Sequence, residues 1–419
     1  MDLVKDYLRT NGVCETQACI RASSMLALSM NRTLDPCDDF YKYACGAWHM
    51  EHPRPSESSS YDWFNDRQTR ILRQVRDYLR LEPDTKQKLP LPLKQSRWMY
   101  KACMDTEKLE DLSYAPIVNY LHSIQMPAVP TYFLDKVDVT NMFSNLTNYV
   151  MNNEGAYITN FDWIITCAAH KRLSTADLLI GFAVYPHPMN GSRTIMLVGS
   201  PENTNPLPSY KELSKRLEKV RRAMSTKERS PNQKRYLTFI RDVTLNYITE
   251  VTQLEGTPPV DLMQRLDDAA EAIYNLEEKL YEINEMAKNI SLNSTADLMS
   301  SMKEITVEEL QTETNLCLDG EVDSDKQPHD LWSRYIQKLF EGIQSGVNVT
   351  GDKILIDDSE IFYLCSINRL MHTHPARELE LYLWWQIMEI LSVHTTKTMR
   401  QLYDRYAGQV LGKTVCQIR

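Results

Sequence analysis

Apolar residues recur along most of this chain three and four positions apart, the helical spacing, and one region only alternates as strands do. Residues 16–30, rich in Ala, Ser, Leu and Met with no breaker inside, predict a short helix that Asp35-Pro36 closes off. Asp38 and Asp39 stand where the next helix begins, since carboxylates there accept from free N–H groups and face the positive end of the dipole. Beyond them Phe40, Tyr41, Ala44, Cys45 and Trp48 share one apolar face, which Gly46 weakens near its end. Residues 52–60, HPRPSESSS, form a Pro/Ser-rich linker. Phe64, Ile71, Leu72, Val75 and Leu79 then mark a helical stripe beside Arg67, Arg70, Arg73, Arg76 and Arg80, which read as a solvated face. Residues 94–104, 115–124 and 135–150 also predict helices. Residues 178–185 and 194–198 predict a β-hairpin with Asn190-Gly191 as its turn. From Tyr210 onward helices return, including a long charged one over residues 259–289. Residues 376–393 concentrate Leu379, Leu381, Leu383, Trp384, Trp385 and Ile387, a run that reads as core rather than as a cofactor box. The fold class is therefore mainly α, a large multi-helix domain with one small hairpin.

Composition narrows the function classes. With 42% hydrophobic residues in 419, the chain can bury a sizeable core. A net charge of -9 without any long basic run leaves no electrostatic footprint for nucleic acid. The nine cysteines are Cys14, Cys19, Cys37, Cys45, Cys103, Cys167, Cys317, Cys365 and Cys416, and none stands in CxxC or at zinc-finger spacing from histidines. Six Asn-x-Ser/Thr sequons, at Asn31, Asn145, Asn190, Asn289, Asn293 and Asn348, join them in favouring an oxidising, secretory route. The opening MDLVKDYLRTNG has no apolar core for a signal peptide, and no stretch of about 18 apolar residues exists to anchor the chain. The expectation is an extracellular or plasma-membrane ectodomain whose front is incomplete.

Residues 35–48, DPCDDFYKYACGAW, resemble the N-terminal signature of the neprilysin and endothelin-converting-enzyme family of zinc metallopeptidases almost residue for residue. Further pieces follow in the family's order: CETQAC at 14–19 before the signature, then YKACMDT at 100–106, LPSYKE at 207–212 and ARELELYLWWQIMEIL at 376–391. The resemblance implies residues 1–13 as an unstructured stub, 14–55 as the N-terminal segment of a catalytic lobe, and 56–419 as a helical lid domain. It implies disulfides Cys14–Cys19 and Cys103–Cys416, and downstream partners, absent from these residues, for Cys37 and Cys45. Cys317 and Cys365 lie outside that framework and are candidates to pair with each other, which leaves Cys167 as a buried thiol. Residues 35–48 would pack on the absent catalytic lobe and otherwise expose an apolar patch.

Peptide hydrolysis in that family uses HExxH, two histidines one helical turn apart on zinc with the Glu as general base. None of the nine histidines opens that motif. His49-Met50-Glu51-His52 has the wrong spacing and runs into Pro53, and His372-Thr373-His374 near Glu378 and Glu380 falls at the Pro375 helix start. No catalytic, cofactor or metal residue is therefore expected in this chain. Zinc belongs, by resemblance, to the full-length family enzyme. Relatives that prefer short peptides clamp the substrate carboxylate with arginines after the linker, but here Ser60 precedes Tyr61 and only Arg67 lies near a second such position. Two readings stay open: the substrate-selecting front of an active peptidase acting on peptides, or a truncated, inactive, secreted paralogue that binds peptides as a decoy.

Overall fold

The computed structural model describes residues 14–54, 61–81, 89–134, 150–151, 157–158, 161–201, 231–254, 256, 258, 260–293, 302–318, 329–343 and 351–411. By internal packing the chain forms two units, residues 1–100 and 101–419. Each is built differently.

In the first unit, Thr16 caps the Gln17–Ser29 helix by accepting from the Cys19 N–H at 3.3 Å, and the Cys14–Cys19 disulfide spans that cap. Asp39 caps Phe40–Cys45 through the Lys42 N–H at 2.9 Å. Gly46 and Ala47 then turn the chain into the one-turn helix Trp48–Glu51, so the predicted single face is broken in two. Asn31 N–H donating to the Tyr43 carbonyl (2.7 Å) and Ala47 N–H to that of Ser29 (3.0 Å) tie the first helix to the second pair. The longer Trp63–Arg80 helix opens with a capping box, Asp62 and Asn65 each accepting from the other's backbone. Among the unit's described residues only Asp66 and Arg97 are buried, so no apolar interior forms among them.

The second unit has a large one. Its helices include Ala115–Ser123, Trp163–Ser174, Pro231–Thr252, Val260–Asn293, Leu331–Leu339, Asp358–Thr373, Ala376–Leu391 and Lys397–Leu411. Trp332, Trp384 and Trp385 are fully buried at its heart. Each indole N–H finds a partner, Thr314 Oγ1 at 2.9 Å, the Ala128 carbonyl at 3.2 Å and Tyr236 Oη at 3.2 Å, as burial of an amphipathic ring requires.

The β structure corrects the sequence reading in three places. The hairpin strands, β3 (Gly181–His187) and β4 (Asn190–Gly199), follow a short antiparallel pair, β1 (Val150–Met151) and β2 (Tyr157–Ile158). Val150, expected to end a helix over 135–150, instead opens β1; residues 135–149 lie outside the described ones. The hairpin turn is Pro188-Met189, because His187 pairs with Asn190 and its Nδ1 accepts from the Met189 N–H at 3.1 Å. Asn190-Gly191 therefore begins the return strand. Two further strands, β5 (Lys303–Thr306) and β6 (Lys353–Ile356), complete a four-stranded sheet in the order β3-β4-β6-β5, with β4 and β6 parallel and the other pairs antiparallel. No described helix is long and apolar enough to cross a membrane.

Candidate functional site

The signature residues stand at the surface of the first unit. Phe40 and Tyr41 are 69% and 76% exposed, and Met50, Phe64, Ile71, Leu72, Trp98 and Met99 of the same unit are exposed as well. Trp48 is half-buried. Cys37 and Cys45 are exposed thiols without a disulfide to any described residue. These exposed apolar side chains stand on a unit whose described residues bury no apolar side chain.

The histidine groupings come apart. His52 stacks flat on Trp48, ring centroids 4.5 Å apart and 2° from parallel, with Nδ1 3.2 Å from the Trp48 carbonyl, while His49 is exposed. His372 Nδ1 lies 2.8 Å from the Asn368 carbonyl in the last turn of its helix. His374 has Glu378 Oε2 2.9 Å from Nε2 and the Lys279 ammonium 3.4 Å from Nδ1. Burial, then Lys279, holds its pKa below the usual histidine value. Glu380, its supposed neighbour, turns inward to Thr131, where Oε1 accepts from N–H at 2.6 Å and from the hydroxyl at 2.8 Å. A Lys ammonium on one ring nitrogen and a single carboxylate on the other do not make a zinc site. Among the described residues no three His, Cys, Asp or Glu side chains converge as metal ligands. The described histidine groupings do not fit catalytic zinc.

Arg67 is packed rather than presented. Its guanidinium touches Met25 Sδ at 2.8 Å and sits 5.2 Å over the Trp63 ring, and its buried Nε lacks a hydrogen-bond partner among the described residues. Tyr61 donates to Asp66 (3.2 Å), which pairs with Arg70 (2.9 Å).

Cysteines and sequons spread over both units. Cys317 and Cys365 are disulfide-bonded, Cys167 is buried, and burial pushes its thiol up to about 12. Cys103 is exposed and has no disulfide to a described residue; Cys416, the partner implied by resemblance, lies outside them. Asn190 and Asn289 are exposed, while Asn31 is half-buried with Oδ1 accepting from Thr33 N–H and Oγ1. Asn293 ends a helix with its side chain undescribed, and Asn145, Asn348 and LPSYKE lie outside the described residues.

Two polar groupings carried no sequence signal, because their members meet only through the fold. His187, buried at the end of β3, lies 2.9 Å from Glu304 of β5, which also accepts from Arg193 of β4 at 2.6 Å. His170 is buried with Nδ1 2.8 Å from the Tyr120 hydroxyl.

The family model Peptidase family M13 (Peptidase_M13_N) matches residues 36–418. The human protein "Membrane metallo-endopeptidase-like 1" is 22% identical over 416 residues, 97% of this chain and 45% of that protein. Neprilysin-11 of Caenorhabditis elegans is 32% identical over 109 residues, 26% of this chain and 12% of that protein. In fold, the chain is similar to the Mycobacterium tuberculosis zinc metalloprotease Zmp1 in complex with inhibitor, with a TM-score of 0.56, 15% identity, and 93% of this chain but 47% of that one covered. The chain thus spans less than half the length of these relatives. With the match running through nearly all of its length, the chain belongs to peptidase family M13.

Proposed function

We propose that these residues are the non-catalytic front of a neprilysin-like zinc metalloendopeptidase. Their task is to admit and select peptide substrates for a catalytic lobe that carries HExxH elsewhere. One observation carries this reading: the signature segment and its surroundings expose Phe40, Tyr41, Phe64, Ile71 and Trp98 on a unit whose described residues bury no apolar side chain. Such a face is explained by a lobe packed over residues 35–48, and exposed Cys37 and Cys45 sit within it, placed for bridges to that lobe. The helical second unit, with its own core, then serves as the lid that limits access. Disulfides Cys14–Cys19 and Cys317–Cys365 support an extracellular or membrane-ectodomain location, because such bonds persist in oxidising compartments.

Material captured from the native source with an antibody to this chain provides the test. After enzymatic deglycosylation the expected product is heavier than 48.7 kDa, contains an HExxH peptide by mass spectrometry, and hydrolyses short peptides in a chelator-sensitive way. A deglycosylated product of 48.7 kDa that binds peptides without cleaving them would establish the decoy reading instead.

A further inference from the structure

The tip of the β3–β4 hairpin combines two features that a soluble surface seldom carries together without a reason. Exposed apolar side chains stand near it, with Met189 in the turn 78% exposed and Val184 and Tyr185 on β3 exposed, alongside the exposed polar Ser192, Arg193 and Thr194 of β4. β3 is also an edge strand of the four-stranded sheet, and exposed apolar edges invite association with other chains. Within this tip stands Asn190-Gly191-Ser192, an acceptor sequence for N-linked sugar. The fold holds it open. Asn190 is exposed, its Oδ1 accepts from the Ser192 N–H at 3.2 Å, and no described residue takes up its Nδ2. Space is also available, since a Cβ on Gly191 would meet nothing within 4 Å. Asn31 differs: it is half-buried, both hydrogen bonds from Thr33 converge on its carboxamide, and its Cβ crowds the Gly46 position.

We infer that Asn190 carries an N-linked oligosaccharide that covers Met189 and the exposed apolar residues of β3 and blocks association through that strand. The inference rests on the secretory location proposed above. In the transfer, the Asn190 carboxamide nitrogen attacks the anomeric carbon of an oligosaccharide linked to a lipid pyrophosphate. The N–C bond forms, the C–O bond to pyrophosphate breaks, the lipid pyrophosphate leaves with the electron pair, and the amide loses one proton to a base. A bulky, hydrated glycan beside Met189 then does for this edge what charged residues do on others.

The test compares the full chain from its native source with the full chain delivered to a eukaryotic secretory route by a supplied leader. Enzymatic deglycosylation in heavy-oxygen water converts each occupied Asn to labelled Asp, which peptide mass spectrometry locates. Label at Asn190 in both preparations is expected, and Ser192→Ala abolishes it there alone. Removing the glycan from the folded protein should raise self-association in light scattering. Asn190 unlabelled while another sequon is labelled overturns the inference and leaves the secretory reading standing. No labelled sequon in native material, despite label at Asn190 with the supplied leader, overturns both. Label at Asn190 without any change in self-association on deglycosylation overturns the covering role.

Discussion

Glu380 and Thr131, 249 residues apart in sequence, meet in the interior of the second unit, where one carboxylate oxygen accepts both the N–H (2.6 Å) and the hydroxyl (2.8 Å) of the threonine. Arg377, one turn earlier on the same helix, donates to the carbonyls of Thr131 and Leu134, and Arg265 donates to that of Phe133 at 3.2 Å. The short 3₁₀ turn Thr131–Phe133 is thus fixed by side chains rather than by secondary structure. Glu380→Ala strands two buried donors and should lower stability by about 2–4 kcal/mol in urea denaturation followed by tryptophan fluorescence. Thr131→Val removes only the hydroxyl and should cost about 1 kcal/mol.

Acid should weaken the second unit through His170. Burial, then the neighbouring Lys171, holds its pKa down at about 4, against 6.5 for the free side chain. The folded state therefore resists a proton that the unfolded chain takes up. This contribution is complete above pH 6.5 and is lost as the pH falls through 6.5 toward 4, where the unfolded state binds more protons. Its full size is on the order of 3 kcal/mol. The urea midpoint should drop less between pH 7 and pH 4.5 in His170→Gln than in the wild type, and parallel drops would contradict this assignment.

The Cys317–Cys365 disulfide closes a loop of 48 residues between the end of the Val307–Leu316 helix and the middle of Asp358–Thr373. Loop closure of that length is worth about 4 kcal/mol in the chain-entropy model. Replacing both cysteines by Ala should lower the midpoint of the second unit accordingly. Reduction of the wild type should reproduce the loss, and reduction of the double variant should add nothing from this bond.

Ser113 has φ 47° and ψ -124°, a left-handed backbone in which a side chain is strained. It ends the Thr106–Leu112 helix, its N–H donating to the Leu109 and Glu110 carbonyls. Ser113→Gly should therefore stabilise the fold by about 1 kcal/mol, and Ser113→Ala should not. Paired thermal melts decide this.

What could be read in advance follows from what each residue's neighbours are. Ala376–Leu391 and Val260–Asn293 were legible as helices because their apolar positions repeat over many turns, and the aromatic run was legible as core. β5 and β6 were not: each is four residues long, and both run directly into a capped helix, so no alternation develops. The hairpin itself was legible, but its turn was displaced because His187 closes Pro188-Met189 with its own ring. At the site, the signature around Cys37 pointed to the family, whereas the inward turn of Glu380 away from His374 depends on Thr131, far away in sequence. Grouping by sequence proximity fails there because Glu378 and Glu380, two residues apart on one helix, point to nearly opposite sides, so only Glu378 reaches His374.

On the function proposed above, these residues select peptides and do not cleave them. Hydrolysis of an internally quenched peptide by the purified 419-residue chain, in added zinc and then with a chelator, tests it most directly. No chelator-sensitive cleavage is expected under either condition. Turnover that appears with zinc and disappears with the chelator, and that persists after stringent purification, would contradict it.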